Sequence, residues 1–82
     1  MTNTPQHVDR AFKLNALKMA IATAKTEADR WESLAVEQGY FPEMPRPFPT
    51  HLDLPLTERN KARYVEGYLN DLFVELSEQW NT

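Results

Sequence analysis

Five of the chain's six prolines lie between Tyr40 and Glu58, in the stretch YFPEMPRPFPTHLDLPLTE. Proline lacks a backbone N–H and its ring clashes with the preceding helical turn, so no helix can run through Pro42, Pro45, Pro47 and Pro49. Neither proline nor glycine occurs between Pro5 and Gly39, and no proline follows Pro55. The chain is thereby confined to a long helix, a stiff connector and a second helix.

The first segment is expected to be helical from about residue 5 to residue 38. Thr4 and Pro5 suit the N-cap and first helical positions. Gly39 stands where a left-handed residue closes a helix, and the span between is rich in alanine. Leu14, Leu17, Ile21, Ala24, Ala28, Trp31 and Ala35 recur at three-four spacing and form one continuous stripe. At about 100° per residue, Val8, Phe12 and Met19 fall nearly opposite it, so this end either packs under a folded-back linker or, the reading preferred, is buried against a second chain. The second segment reads as helix from about 58 to 80, with Thr57 as N-cap. Its stripe is Ala62, Val65, Leu69, Leu72 and Leu76, widened by Tyr68, Phe73 and Trp80. Gly67 interrupts that pattern, either tolerated or marking the close approach of a neighbouring helix.

Charge order predicts how the helices pair. In the first, Arg10, Lys13, Lys18 and Lys25 precede Glu27, Asp29, Glu32 and Glu37; in the second, Arg59, Lys61 and Arg63 precede Glu66, Asp71, Glu75 and Glu78. Both orders oppose the helix dipole. Antiparallel packing compensates, because each basic half then lies beside the other helix's acidic half. The expected fold is therefore all-α: a long helix, an ordered proline-rich connector over about 39–57, and a shorter antiparallel helix in a single helical-hairpin domain spanning 1–82. With these bounds roughly 15 Å of the first helix would overhang, carrying Val8 and Phe12. Two helices cannot enclose a core, so a homodimer forming a helical bundle is the economical solution.

The connector is apolar as well as stiff, since Tyr40, Phe41, Met44, Phe48, Leu52, Leu54 and Leu56 interleave with the prolines. Phe41, Phe48 and Leu52 are expected to fold back over the end of the helices, near Trp31 and Tyr64. Proline-rich strips are also presented to partners, which makes Phe41, Arg46 and Phe48 candidate contact residues alongside Val8, Phe12 and Met19.

No motif for catalysis stands out. Two glycines allow no phosphate-cradling loop, and two histidines with no cysteine give no metal-ligand spacing. Ser33 and Ser77 lack a nucleophile context, and the acidic pairs lie on polar faces. We expect no enzyme, no cofactor and no metal. A net charge of −3 is the wrong sign for a typical nucleic-acid binder, so Arg10, Lys13 and Lys18 as a nucleic-acid patch are the alternative reading. No apolar run approaches a membrane span, and the absence of cysteine suits the cytoplasm. These features fit a non-catalytic interaction or regulatory protein, of the kind expected of a small bacterial or phage-encoded modulator or inhibitor. Its partner would be another protein, and the remaining class is a structural subunit of a larger assembly.

Overall fold

The computed structural model describes the backbone of residues 3–81 and the side chains of residues 8–80. Helix α1 spans Asn3–Glu37 and helix α2 spans Asp53–Asn81, with a single 3-10 turn at Thr50–Leu52 before α2. Among the described residues there is no strand. The helices pack side by side and run antiparallel: Glu32 meets Arg59, Lys18 lies over Phe73, and Arg10 lies over Trp80. The result is a hairpin with Cα extents of 60 × 18 × 14 Å.

The expected cap at Thr4 concerns a side chain outside the described residues. The other end of α1 is well defined. Gly39 takes φ +105°, its N–H donates to the Val36 carbonyl at 3.0 Å, and the Tyr40 N–H reaches back to the Ala35 carbonyl at 2.9 Å. This nested pair is a Schellman closure, and the left-handed residue it needs is the one without a Cβ. Tyr40 also packs against the small core that contains Ala35, supplying the apolar contact such closures favour. His51 donates from Nε2 to the Gln38 carbonyl at 2.9 Å, satisfying one more acceptor at the helix end.

Helix α2 begins at Asp53, five residues ahead of the expected Glu58. Thr57 is therefore inside the helix and does not cap it. The cause is Pro55, which falls in the first turn, where a backbone N–H would have no intrahelical partner anyway. Asp53 adds a carboxylate where the helix dipole favours one. The earlier start lengthens α2 and shortens the expected overhang to roughly 10 Å, the residues of α1 ahead of Arg10, since Trp80 reaches the level of Arg10.

Among the described residues the buried apolar side chains are few: Ala24, Ala28, Ala35, Leu52, Pro55 and Leu56. Ala24 and Ala28 are buried on α1, where their small size leaves room for a neighbouring helix. Gly67 does not share that role. It is exposed, and a Cβ built on it would meet nothing within 4 Å. Ala35, Leu52 and Leu56 form the one cluster, against which Tyr40, Met44 and Phe48 pack. Tyr40 and Phe48 meet edge-to-face at 6.0 Å. The residues between the helices thus close one end of the hairpin, but not with every expected side chain. Phe41 is left exposed, and Tyr64 is 78% exposed on the outer side of α2.

Candidate interaction surface

The six expected contact residues fall into two groups. Val8, Phe12 and Met19 lie along the outer side of α1, away from α2, with Phe12 69% and Met19 64% exposed. The Asn15 side-chain amide donates to the Met19 sulfur at 3.8 Å, a weak local contact. Phe41, Arg46 and Phe48 belong to the closed end. There Phe41 is exposed, Phe48 turns inward against the core, and the Arg46 guanidinium stacks over the Phe48 ring at 5.3 Å. From Met19 to the end of α1 is about 27 Å at 1.5 Å rise per residue, so the two groups do not form one patch.

The alternative basic patch is also divided. The Arg10 guanidinium lies 5.6 Å from the Trp80 ring and the Lys18 ammonium 5.8 Å from the Phe73 ring. Lys13 pairs with Asp9 at 2.9 Å. Two of the three cations are therefore held on aromatic faces of α2, an arrangement worth about 0.5–1 kcal/mol at exposed sites.

The expected charge complementarity is met in one half of the hairpin only. Glu32 Oε1 accepts from Arg63 at 3.1 Å and from Arg59 at 3.3 Å, and Arg63 lies 3.7 Å from Asp29. Arg59, its side chain 18% exposed, also donates to the Tyr40 hydroxyl at 3.4 Å and covers the Tyr40 ring at 5.4 Å. It ties α1, the connector and α2 together. In the other half no carboxylate of α2 pairs with a cation of α1 among the described residues. Counting 100° per residue, Asp71, Glu75 and Glu78 point away from α1, and stacking on Phe73 and Trp80 takes the place of ion pairing.

Three surface depressions complete the picture. One, of about 390 Å³, runs between the helices and is lined by Ala20, Thr23, Ala24, Glu27, Ala62, Val65 and Leu69. A second, of about 300 Å³, lies on the outer side of α2, where Gly67 leaves a notch between Arg63, Tyr64, Tyr68 and Asp71. The third, of about 370 Å³, is lined by Arg30, Trp31, Ser33, Leu34 and Glu37 near the end of α1. None of the three was among the expected contact regions. Ala24, Ala62, Val65 and Leu69 were read as core because they keep the helical stripe. The missing signal was width: a stripe broader than one neighbouring helix can cover leaves one flank bare.

Among the described residues, no group of histidine, cysteine, aspartate or glutamate side chains could hold a metal ion, and no helix is long and apolar enough to cross a membrane. No protein-family model, curated protein or solved structure matches this chain.

Proposed function

We propose that this protein is a non-catalytic interaction or regulatory protein that acts by binding another macromolecule. The observation carrying this reading is the imbalance between buried and exposed apolar side chains. Among the described residues only one large side chain, Leu52, is fully buried, whereas Phe12, Met19, Leu54, Tyr64 and Tyr68 are each more than half exposed. A chain of 82 residues with so little core gains its remaining stability from an external surface. Association into a homodimeric helical bundle, and docking on a different protein, both supply one. The outer face of α1 with Val8, Phe12 and Met19, and the closed end with Phe41, Arg46 and Phe48, are the surfaces offered to a target.

The test is capture of the target from the organism of origin with the intact chain as bait, beside a Phe12→Asp bait. A protein retained by the first and lost by the second, with helicity unchanged by circular dichroism, supports the reading. Equal recovery with both baits removes the α1 outer face from it. The nucleic-acid alternative predicts salt-sensitive binding to random duplex DNA through Arg10, Lys13 and Lys18. Absence of a shift in fluorescence anisotropy at low salt eliminates it.

A further inference from the structure

The geometry points to the groove between α1 and α2, lined by Ala20, Ala24, Ala62, Val65 and Leu69, as the face on which a second copy of this chain docks. This rests on the reading of the protein as one that completes its core by association, and it names the occupant and the surface.

The hairpin has two unlike broad sides. One carries the ion pairs of Arg59 and Arg63 with Glu32 and Asp29, together with Lys18 over Phe73. The other carries the groove, whose walls are almost wholly apolar and whose small residues admit another helix at short distance. The heptad repeat extends this apolar side along the molecule. Leu17 and Trp31 lie seven residues either side of Ala24, Leu72 lies seven after Val65, and all three are only half-buried. A face of 60 × 18 Å has an outline of roughly 1,000 Å², which leaves room for the about 800 Å² that each partner of a stable interface buries.

Charge on the rims selects a second copy over an unrelated apolar helix. Along α1 the rim position repeats as Lys13, Ala20, Glu27; along α2 it repeats as Lys61, Tyr68, Glu75. Each rim therefore carries a cation one heptad before its centre and a carboxylate one heptad after it. Ala20 and Glu27 line the groove itself, and the antiparallel register set by Lys18 over Phe73 and Glu32 with Arg59 places the two centres within about three residues, roughly 4.5 Å, of one level. A twofold axis in the plane of this face and through that level runs either across the hairpin or along it. Across, Lys13 faces Glu27 of the second copy and Lys61 faces Glu75. Along, Lys13 faces Glu75 and Glu27 faces Lys61. Opposite charges meet in both cases, and facing helices are antiparallel in both. Within one hairpin these groups make only local pairs, Lys13 with Asp9, Glu27 with Arg30 and Lys61 with Glu58, while Glu75 has no ion pair among the described residues.

Sedimentation equilibrium of the full chain at micromolar concentration tests the assignment. The expected mass is twice the 9.6 kDa of a single chain. Val65→Lys places a charge in the groove at a residue 45% exposed in the isolated hairpin, so the helices should persist by circular dichroism while the mass falls to 9.6 kDa. Phe12→Asp, on the outer flank of α1 about 80° round the helix from Ala20, should leave the doubled mass intact. Two charge-reversed chains add a reciprocal test that does not depend on any one variant folding well. Lys13→Glu with Lys61→Glu, and Glu27→Lys with Glu75→Lys, should each be single chains alone and should regain the doubled mass when mixed. A doubled mass that Phe12→Asp abolishes and Val65→Lys does not overturns this face but keeps self-association. A folded single chain in the unmodified protein overturns the second copy as occupant, and leaves target capture to be judged by its own experiment. A mixture of the two reversed chains that fails to associate overturns the charge match.

Discussion

The closed and open halves of the hairpin are built from similar helices yet held together differently. At the closed end a Schellman turn, the His51–Gln38 hydrogen bond, the inter-helix ion pairs and the cluster of Ala35, Leu52 and Leu56 all act on the same few turns. In the open half the helices touch through half-buried leucines and two cation–ring contacts, and among the described residues 10–24 and 65–80 only Ala24, 7% exposed, is buried. The first region completes its own packing. The second is left with apolar surface on both the groove side and the outer side of α1, which is where association has most to add.

The comparison breaks most readily at Leu52. It is the one large side chain with no exposure, and it joins the connector to both helices. Leu52→Ala should cost about 2–5 kcal/mol through lost transfer energy and a residual cavity. Urea unfolding followed by circular dichroism measures it. Leu76→Ala, in the open half and only half-buried, should cost clearly less in the isolated chain. If the two losses are equal, the halves do not differ in the way described. A Leu76→Ala cost that rises with protein concentration would sharpen the contrast, because it would place part of that residue's burial in the assembly.

Those two leucines also mark what could be read from the sequence. Leu76 lies in a regular heptad pattern, so its helix, its stripe and the antiparallel pairing followed from periodicity and charge order. Leu52 lies among prolines, where no period exists. Its expected role came from the apolar content of the connector, and its complete burial depends on how the turn at Thr50–Leu52 aims it. The start of α2 was misplaced for a related reason. A proline inside a helix breaks it, but one in the first turn does not, and the sequence alone does not say which turn is first. The bare flank of the groove was hidden because periodicity locates a stripe without saying how many neighbours cover it.

The two glycines give the next contrast, with opposite signs. Gly39 holds φ +105° at the closure of α1, so Gly39→Ala should destabilise by about 1–2 kcal/mol through backbone strain, even though nothing crowds its Cβ. Gly67 lies within α2 in open space, so Gly67→Ala should stabilise by about 0.8–1 kcal/mol through helix propensity alone. Thermal unfolding of both variants reads the difference directly. A destabilising Gly67→Ala would mean that the notch beside Tyr64 and Tyr68 is filled in the folded protein by something approaching from outside the hairpin.

The smallest effect concerns the charges that distinguish the halves. A double-mutant cycle on Glu32 and Arg63, with Glu32→Gln and Arg63→Gln, should give a coupling of about 0.2–1 kcal/mol that shrinks as salt is added. Both side chains are 42% exposed, so solvent screens the pair. Arg59 complicates the cycle usefully. It shares the Glu32 carboxylate and also covers Tyr40, so Glu32→Gln weakens two pairs, whereas Arg63→Gln weakens one with Glu32 and one with Asp29. A cycle on Lys18 and Phe73, using Lys18→Gln and Phe73→Leu, supplies the open-half counterpart. Its coupling should be of similar size but less sensitive to salt, since a ring quadrupole carries no net charge for ions to screen. Equal salt dependence in the two cycles would argue that Lys18 is stabilised by a carboxylate and not by the ring, which would return the open half to the same electrostatic scheme as the closed end.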